Sequence, residues 1–183
     1  MPYKVKKTSL NDVLLLEPEV FSDDRGYFFE SFNQKDFNDS VGLDINFVQD
    51  NHSKSKKNVL RGLHYQVNKP QGKLIRVLRG KIFDVVVDMR LSSQNYGKWF
   101  GVILSSENRL QLWVPEGFAH GFLTLSDSAE LAYKTSDYWY PKYERSLLWN
   151  DDEIAIEWPI SEEPLLTEKD SNGSTLKKAE SYD

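Results

Sequence analysis

The sequence contains no cysteine. That absence excludes disulfides, thiolate metal sites and a cysteine nucleophile, and it is compatible with a reducing compartment. Histidine is scarce too, with three in 183 residues, so each imidazole is a limited resource. Long apolar runs are missing. The first, Val13–Leu16, is four residues long, against roughly 7–15 for a secretory signal and ~20 for a membrane span. There is no internal repeat and no low-complexity stretch. With 7 Pro and 10 Gly the chain is neither collagenous nor disordered in composition. The expectation is a soluble cytoplasmic protein forming a single domain over residues 1–183, without a membrane partner.

Hydrophobic residues make up 39% and aromatic residues 13% of the chain, and that aromatic share favours strands. A domain of this length can bury a substantial core without disulfides or a structural metal. Short segments of strand composition recur between turn signals: Asp12–Leu16, Tyr27–Ser31, Asn46–Gln49, Val59–Tyr65, Leu74–Leu78, Lys81–Met89, Trp99–Leu104, Leu110–Val114, Gly121–Leu125 and Ala129–Thr135. Many short strands at such spacing predict an all-β sandwich or barrel. Asn33–Asp39 is expected to form one short helix. The acidic segment from Pro159 is expected to wrap the outside, with a frayed tip after Gly173.

Strand alternation assigns faces. In Lys81–Met89, Phe83, Val85, Val87 and Met89 share one face, and Ile82, Asp84, Val86 and Asp88 the other. Lys73, Ile75 and Val77 share a face of their strand, as do Leu131, Tyr133 and Thr135 of theirs. Polar residues among apolar neighbours on barrel strands mark either a wet ligand cavity or an outward face.

Charge is unevenly distributed. The net charge is −5, yet residues 150–170 hold eight acids and one Lys, while Lys54–Lys81 holds nine Lys or Arg and no acid. Such a stretch is either a solvated basic face or an anion site. Because the whole chain is acidic, with a pI of about 5.3, a small anion suits it better than nucleic acid.

Pro115-Glu-Gly-Phe-Ala-His120 has the spacing of the second motif of cupin barrels, and Gly62-Leu-His64-Tyr-Gln66 falls where the first would be. Metal-binding cupins carry H-x-H and a Glu in that first motif. Here the second His is replaced by Gln66, and no Glu follows nearby. His64 and His120 alone make a poor divalent site, since a catalytic metal takes about three protein ligands. The chemistry is therefore expected to reside in side chains, with no metal and no cofactor. His64, with Arg61 before it and Lys73 on the next strand, suits proton abstraction beside a carbonyl, where a cation holds the enolate. Tyr133 is an acid able to return a proton.

Leu60-Arg-Gly-Leu-His-Tyr-Gln66, Gln71-Gly-Lys-Leu-Ile-Arg-Val-Leu-Arg-Gly80, Phe83-Asp-Val-Val-Val-Asp-Met-Arg90, Leu112-Trp-Val-Pro-Glu-Gly-Phe-Ala-His-Gly-Phe122 and Tyr133-Lys-Thr-Ser-Asp-Tyr138 together resemble the dTDP-4-dehydrorhamnose 3,5-epimerase family, in order and in spacing, from about Asp12 to Asp170. The resemblance implies a metal-free cupin jelly roll with a few short peripheral helices, a homodimer, and dTDP-4-dehydro-6-deoxy-D-glucose as substrate. It implies a base at His64 oriented by Asp170 in Thr167-Glu-Lys-Asp170, an acid at Tyr133, and Lys73 facing the carbonyl oxygen. Arg25, Glu30, Gln49, Asp50, Asn51, Arg61, His120, Glu144 and Lys169 fall at or beside substrate-contacting positions. Ser22-Asp-Asp-Arg-Gly-Tyr-Phe-Phe-Glu30 resembles a segment that holds the nucleotide partly across the dimer. Trp139 falls where the family often has a Tyr stacking on thymine, a departure that keeps an aromatic face.

Three other readings compete: an epimerase acting at carbon 3 alone, a ketoisomerase on the same nucleotide sugar, and a non-catalytic sugar-binding cupin. The combination of base, acid and oxyanion cation weighs against the last. A metal-dependent oxygenase is disfavoured by Gln66.

Overall fold

The computed structural model describes residues 2–183. In chain order the strands are β1 (Lys4–Lys7), β2 (Leu14–Glu17), β3 (Phe21–Asp23), β4 (Gly26–Phe28), β5 (Gln49–Lys56), β6 (Leu60–Gln66), β7 (Lys73–Arg79), β8 (Lys81–Asp88), β9 (Trp99–Ser105), β10 (Gln111–Val114), β11 (Phe118–Thr124), β12 (Ser128–Thr135) and β13 (Glu144–Ser146). Helix α1 (Gln34–Val41) precedes β5, and α2 (Glu168–Ser171) follows β13. Two antiparallel sheets form, one in the order β1-β2-β10-β7-β12-β5 and the other β13-β6-β11-β8-β9, with β3-β4 a separate hairpin. This is the expected all-β jelly roll with short peripheral helices.

Alternation builds its layers. Ile75, Val77, Leu112 and Leu131 of the first sheet meet Ile82, Val86, Leu104 and Phe122 of the second in a shared core. The opposite face of β8, with Val85 and Val87, and Met89 just past its end pack under Ile154, Trp158 and Leu176 from the C-terminal segment. The far face of the six-stranded sheet presents Leu16, Leu74 and Trp113 to Phe37 of α1. That helix starts where Asn33 accepts hydrogen bonds from the amides of Lys35 and Asp36, and it stops at Gly42, whose φ of 72° is left-handed.

Several expectations are corrected. The segment Asn46–Gln49 is not a strand; β5 starts at Gln49 and runs on to Lys56. Tyr27–Ser31 is replaced by the exposed β3–β4 hairpin. The edge strand β1, rich in lysine, gave no apolar alternation to read. The tip after Gly173 is packed, not frayed: Leu176 is buried, Ser174 bridges to Leu147, and the Tyr182 hydroxyl donates to the Gln66 carbonyl at 2.5 Å. Burial of Leu176 and Tyr182 outweighs the polarity of the residues around them.

One irregularity positions the site. Between β6 and β11, His64 pairs with His120 while Arg61 pairs with Phe122, so β6 spends one extra residue over that span. Residues 61 and 64 would fall on opposite faces of a regular strand; the bulge turns both to one cavity. Gly62 makes it possible. Its φ is +115°, and an added Cβ would lie 2.6 Å from the Cα of Gly121 and 2.7 Å from the His120 carbonyl oxygen. Gly62→Ala is therefore expected to lower stability by at least ~1–3 kcal/mol, read as a fall in Tm, and to reduce activity because Arg61 and His64 lose their common aim.

Candidate active site

A cavity of about 560 Å³ opens between the sheets at the β6–β7–β12 end, lined among others by Gln49, Asn51, Arg61, His64, Lys73, His120, Tyr133, Trp139, Glu144, Lys169 and Asp170. The base, acid and cation candidates thus share one space. His64 stands on the five-stranded sheet and Tyr133 on the facing six-stranded one.

His64 Nε2 lies 2.5 Å from Asp170 Oδ1, although 106 residues separate them. An ionised carboxylate only accepts, so Nε2 carries the proton and Nδ1 is left as the basic nitrogen. Asp170 is 2% exposed. Burial pushes its carboxyl up, but the hydrogen bond and charge of His64, with smaller help from Thr167 and Lys169, more than offset this and hold it below the ordinary range. Across β11, His120 Nε2 sits 2.9 and 3.1 Å from the two carboxylate oxygens of Asp84, which is fully buried on the cavity-facing side of β8.

Lys73 donates to the His64 carbonyl at 3.2 Å. Burial lowers its ammonium to about 8, opposed by the negative charges of Glu144 and Asp84. Tyr133 is raised above its ordinary value, chiefly by burial; Arg61 opposes the rise and Glu144 adds to it. The phenol is thus kept protonated at neutral pH. Lys169 pairs with Glu144 at 2.8 Å at the mouth, joining α2 to β13.

Three expected positions lie elsewhere. Asp50 is on the opposite face of β5, paired with Lys134 at 3.0 Å, because strand alternation that brings Gln49 and Asn51 inward must turn Asp50 outward. Arg25 lies in the β3–β4 hairpin, bound to Asp23 of its own turn. Glu30 follows that hairpin and does not line the cavity of its own chain. Of the nine cations in Lys54–Lys81, Arg61 and Lys73 line the cavity, while Lys54 pairs with Glu130 on the outer face. The basic stretch is therefore mostly a solvated face with two inward cations.

Sequence reading missed Ser53, Gln71 and Thr167 on the cavity wall. A signal for Ser53 existed: β5 reads Gln-Asp-Asn-His-Ser-Lys-Ser-Lys, alternating neutral and ionisable residues. Period two without any apolar residue marks a strand whose inner face meets water, not core. Among the described residues, no three His, Cys, Asp or Glu groups gather as metal ligands, and no helix is long and apolar enough to cross a membrane.

The buried ammonium carries a stability cost. The unfolded chain titrates Lys73 near 10.5 and the folded chain near 8, so between those values the unfolded state holds a proton that the native state has released. Unfolding free energy from this group therefore rises with pH across that window. Lys73→Met is expected to stabilise the protein at pH 7 by on the order of 3 kcal/mol and to flatten that rise, as measured by urea unfolding at pH 7 and pH 10.

The chain was compared with known proteins. It matches the dTDP-4-dehydrorhamnose 3,5-epimerase family over residues 7–178. It is 57% identical over 176 residues to the dTDP-4-dehydrorhamnose 3,5-epimerase of Salmonella typhimurium, covering 96% of each chain. Against that of Pseudomonas aeruginosa it is 51% identical over 179 residues, covering 98% of this chain and 99% of the other. The crystal structure of dTDP-6-deoxy-D-glucose-3,5-epimerase from Legionella pneumophila, in complex with dTDP-4-keto-L-rhamnose, superposes with a TM-score of 0.95 at 46% identity, covering 97% and 95% of the two chains. Fold, cavity and likeness along nearly the whole length converge, and the chain belongs to the dTDP-4-dehydrorhamnose 3,5-epimerase family.

Proposed function

We propose that this cupin-like isomerase converts dTDP-4-dehydro-6-deoxy-D-glucose to dTDP-4-dehydro-L-rhamnose by inverting carbons 3 and 5, working as a single-domain, metal-independent, cytoplasmic enzyme. The observation that carries the reading is His64 on one sheet, paired with Asp170 of α2 and facing Tyr133 on the other sheet, with Lys73 beside the base. The 4-keto group acidifies the hydrogens on both adjacent carbons. His64 Nδ1 removes one; Asp170 stabilises the imidazolium. The Lys73 ammonium holds the enolate oxygen, and Tyr133 delivers a proton from the opposite face. The same set serves the second carbon once the sugar is repositioned, His64 has released its proton to water and Tyr133 has regained one from water.

Arg61 is the inward cation for the diphosphate, and Trp139, 53% exposed at the cavity rim, offers a face for the thymine. Arg25 and Glu30, outside the cavity of their own chain, fit a homodimer in which each hairpin reaches the partner's nucleotide. Metal independence is supported by ligand chemistry: Gln66 stands where a second His would be, and His120 is engaged by Asp84. Activity is therefore expected to persist after chelation; loss on chelation with recovery on adding Fe²⁺, Mn²⁺ or Zn²⁺ overturns that point.

In heavy water the native protein should exchange hydrogen at both carbon 3 and carbon 5. Exchange at carbon 3 alone would mean a single inversion. His64→Asn should abolish exchange and epimerisation together, and Lys73→Met should slow turnover by about 10²–10³. Tyr133→Phe keeps the ring and removes only the phenolic proton. The enolate then returns its proton through His64 to the original face, so deuterium should enter with configuration retained while inversion falls by about 10²–10⁴. Normal inversion in Tyr133→Phe would assign proton delivery to another group.

A further inference from the structure

Gln66 stands where a metal-binding cupin would carry a ligand, yet its amide is directed elsewhere. The side chain is 3% exposed and makes three hydrogen bonds. Its Nε2 donates to the Lys69 carbonyl at 2.6 Å and to the Tyr138 carbonyl at 3.2 Å, and its Oε1 accepts from the Tyr140 amide at 2.6 Å. The peptide groups on both sides of Trp139 are thus held by one side chain. The amide of Trp139 itself donates to Gln49 Oε1 at 3.1 Å. One backbone group on each of three successive residues, in a loop with no regular secondary structure, is thus fixed by two glutamines.

We infer that Gln66 is a positioning residue for nucleotide recognition: it presets the 138–140 loop so that the Trp139 ring stands ready at the cavity rim before ligand arrives. The inference rests on the proposed stacking of thymine on Trp139. Its physical content is preorganisation. A loop already ordered in the free protein forfeits less conformational freedom on binding, and that difference appears as affinity. Carboxamide suits the task because it presents two donors and an acceptor at once, which neither a hydrocarbon nor a carboxylate of the same size can do. A ligand position of the cupin motif is thereby put to holding a loop.

The test uses the full chain with dTDP as probe. In the unliganded native protein the Tyr140 amide should exchange with deuterium at least about tenfold more slowly than in an unstructured peptide; exchange at the unstructured rate until dTDP is added overturns the inference. Gln66→Met should raise the dTDP Kd and the substrate KM by about 10–100-fold, as expected for loss of several hydrogen bonds, with kcat within about threefold. Gln66→Glu keeps the acceptor but sets a buried carboxylate oxygen against the Lys69 and Tyr138 carbonyls, so its rise should be at least as large. In a Trp139→Ala background, Gln66→Met should add less than about twofold, because its effect passes through the indole. Additive effects, or a fall in kcat at unchanged KM, overturn the inference. If Trp139→Ala alone leaves dTDP affinity unaltered, the stacking reading fails and takes the inference with it. If Trp139→Ala weakens binding and Gln66→Met does not, the inference fails alone and stacking stands.

Discussion

A carboxylate removed from water costs several kcal/mol unless its charge and lone pairs are met inside the protein, and Asp170 is almost wholly buried. His64 at 2.5 Å meets it, so imidazole and carboxylate stabilise one another, and neither would be well placed alone. Because they are 106 residues apart, the last part of the chain has to return across the barrel mouth. Much of its packing follows from that return. Asp151, itself 5% exposed, accepts from the amides of Glu153 and Ile154 with one oxygen and from Leu176 with the other. Leu176 then joins the cluster on the outer face of the five-stranded sheet. Thr167 caps α2, accepting from the Asp170 amide at 3.3 Å, and so fixes the carboxylate at the start of a short helix. The acidic tail is thus a clamp held by apolar anchors on either side of the carboxylate it carries.

The second constraint is opposition. A single strand cannot place an acid and a base on both faces of a sugar ring, whereas two facing sheets can. The core closes one end of the sandwich with Ile75, Val77 and Leu131, and the same strands, continued a few residues, supply Lys73 and Tyr133 to the open end. The β6 bulge and the polar inner face of β5 adapt the open end for ligand; both would be faults in a closed core.

Legibility in the sequence followed the same division. Strands with an apolar face, such as β7, β8, β10 and β12, could be read from period two, and the faces assigned to β8 match the two clusters that its residues enter. β5 has no apolar face to read; its alternation of neutral and ionisable residues is the only sign of a strand that a full eight-residue ladder with β12 dictates against propensity. The motif resemblance carries three consecutive residues, Gln49, Asp50 and Asn51, while a strand can turn only alternate ones inward, so Asp50 turns outward. Arg61 and His64 posed the reverse problem: their odd separation contradicts a common face until the bulge at Gly62 is known, and a bulge depends on the opposing strand. The tail is the extreme case. Its composition is that of a solvated end, and only the long-range contacts of Leu176, Tyr182 and Asp170 reveal that it packs.

The distribution of hydrogen bonds in the cavity separates what holds from what reacts. Gln66 is engaged by three backbone groups, Gln71 donates to the Asp137 carbonyl, Arg61 Nε to Ser55, and His120 is fixed by Asp84. By contrast, the Tyr133 hydroxyl and the second ring nitrogen of His64 carry no hydrogen bond among the described residues. A wall whose polar groups are mostly paired reorganises little when charge develops, so in the proposed mechanism the field at the sugar is present before the proton moves. In the proposed mechanism the Tyr133 hydroxyl and His64 Nδ1 are the groups whose protons must move; the buried Ser53 hydroxyl on the wall is unpartnered as well. The buried ammonium of Lys73 belongs to the same logic: burial disfavours its charge, only partly offset by Glu144 and Asp84, and in the proposed mechanism an enolate oxygen beside it adds a counter-charge. In that proposed mechanism the interaction is stronger with the transition state than with the neutral ketone, and that difference in binding lowers the barrier.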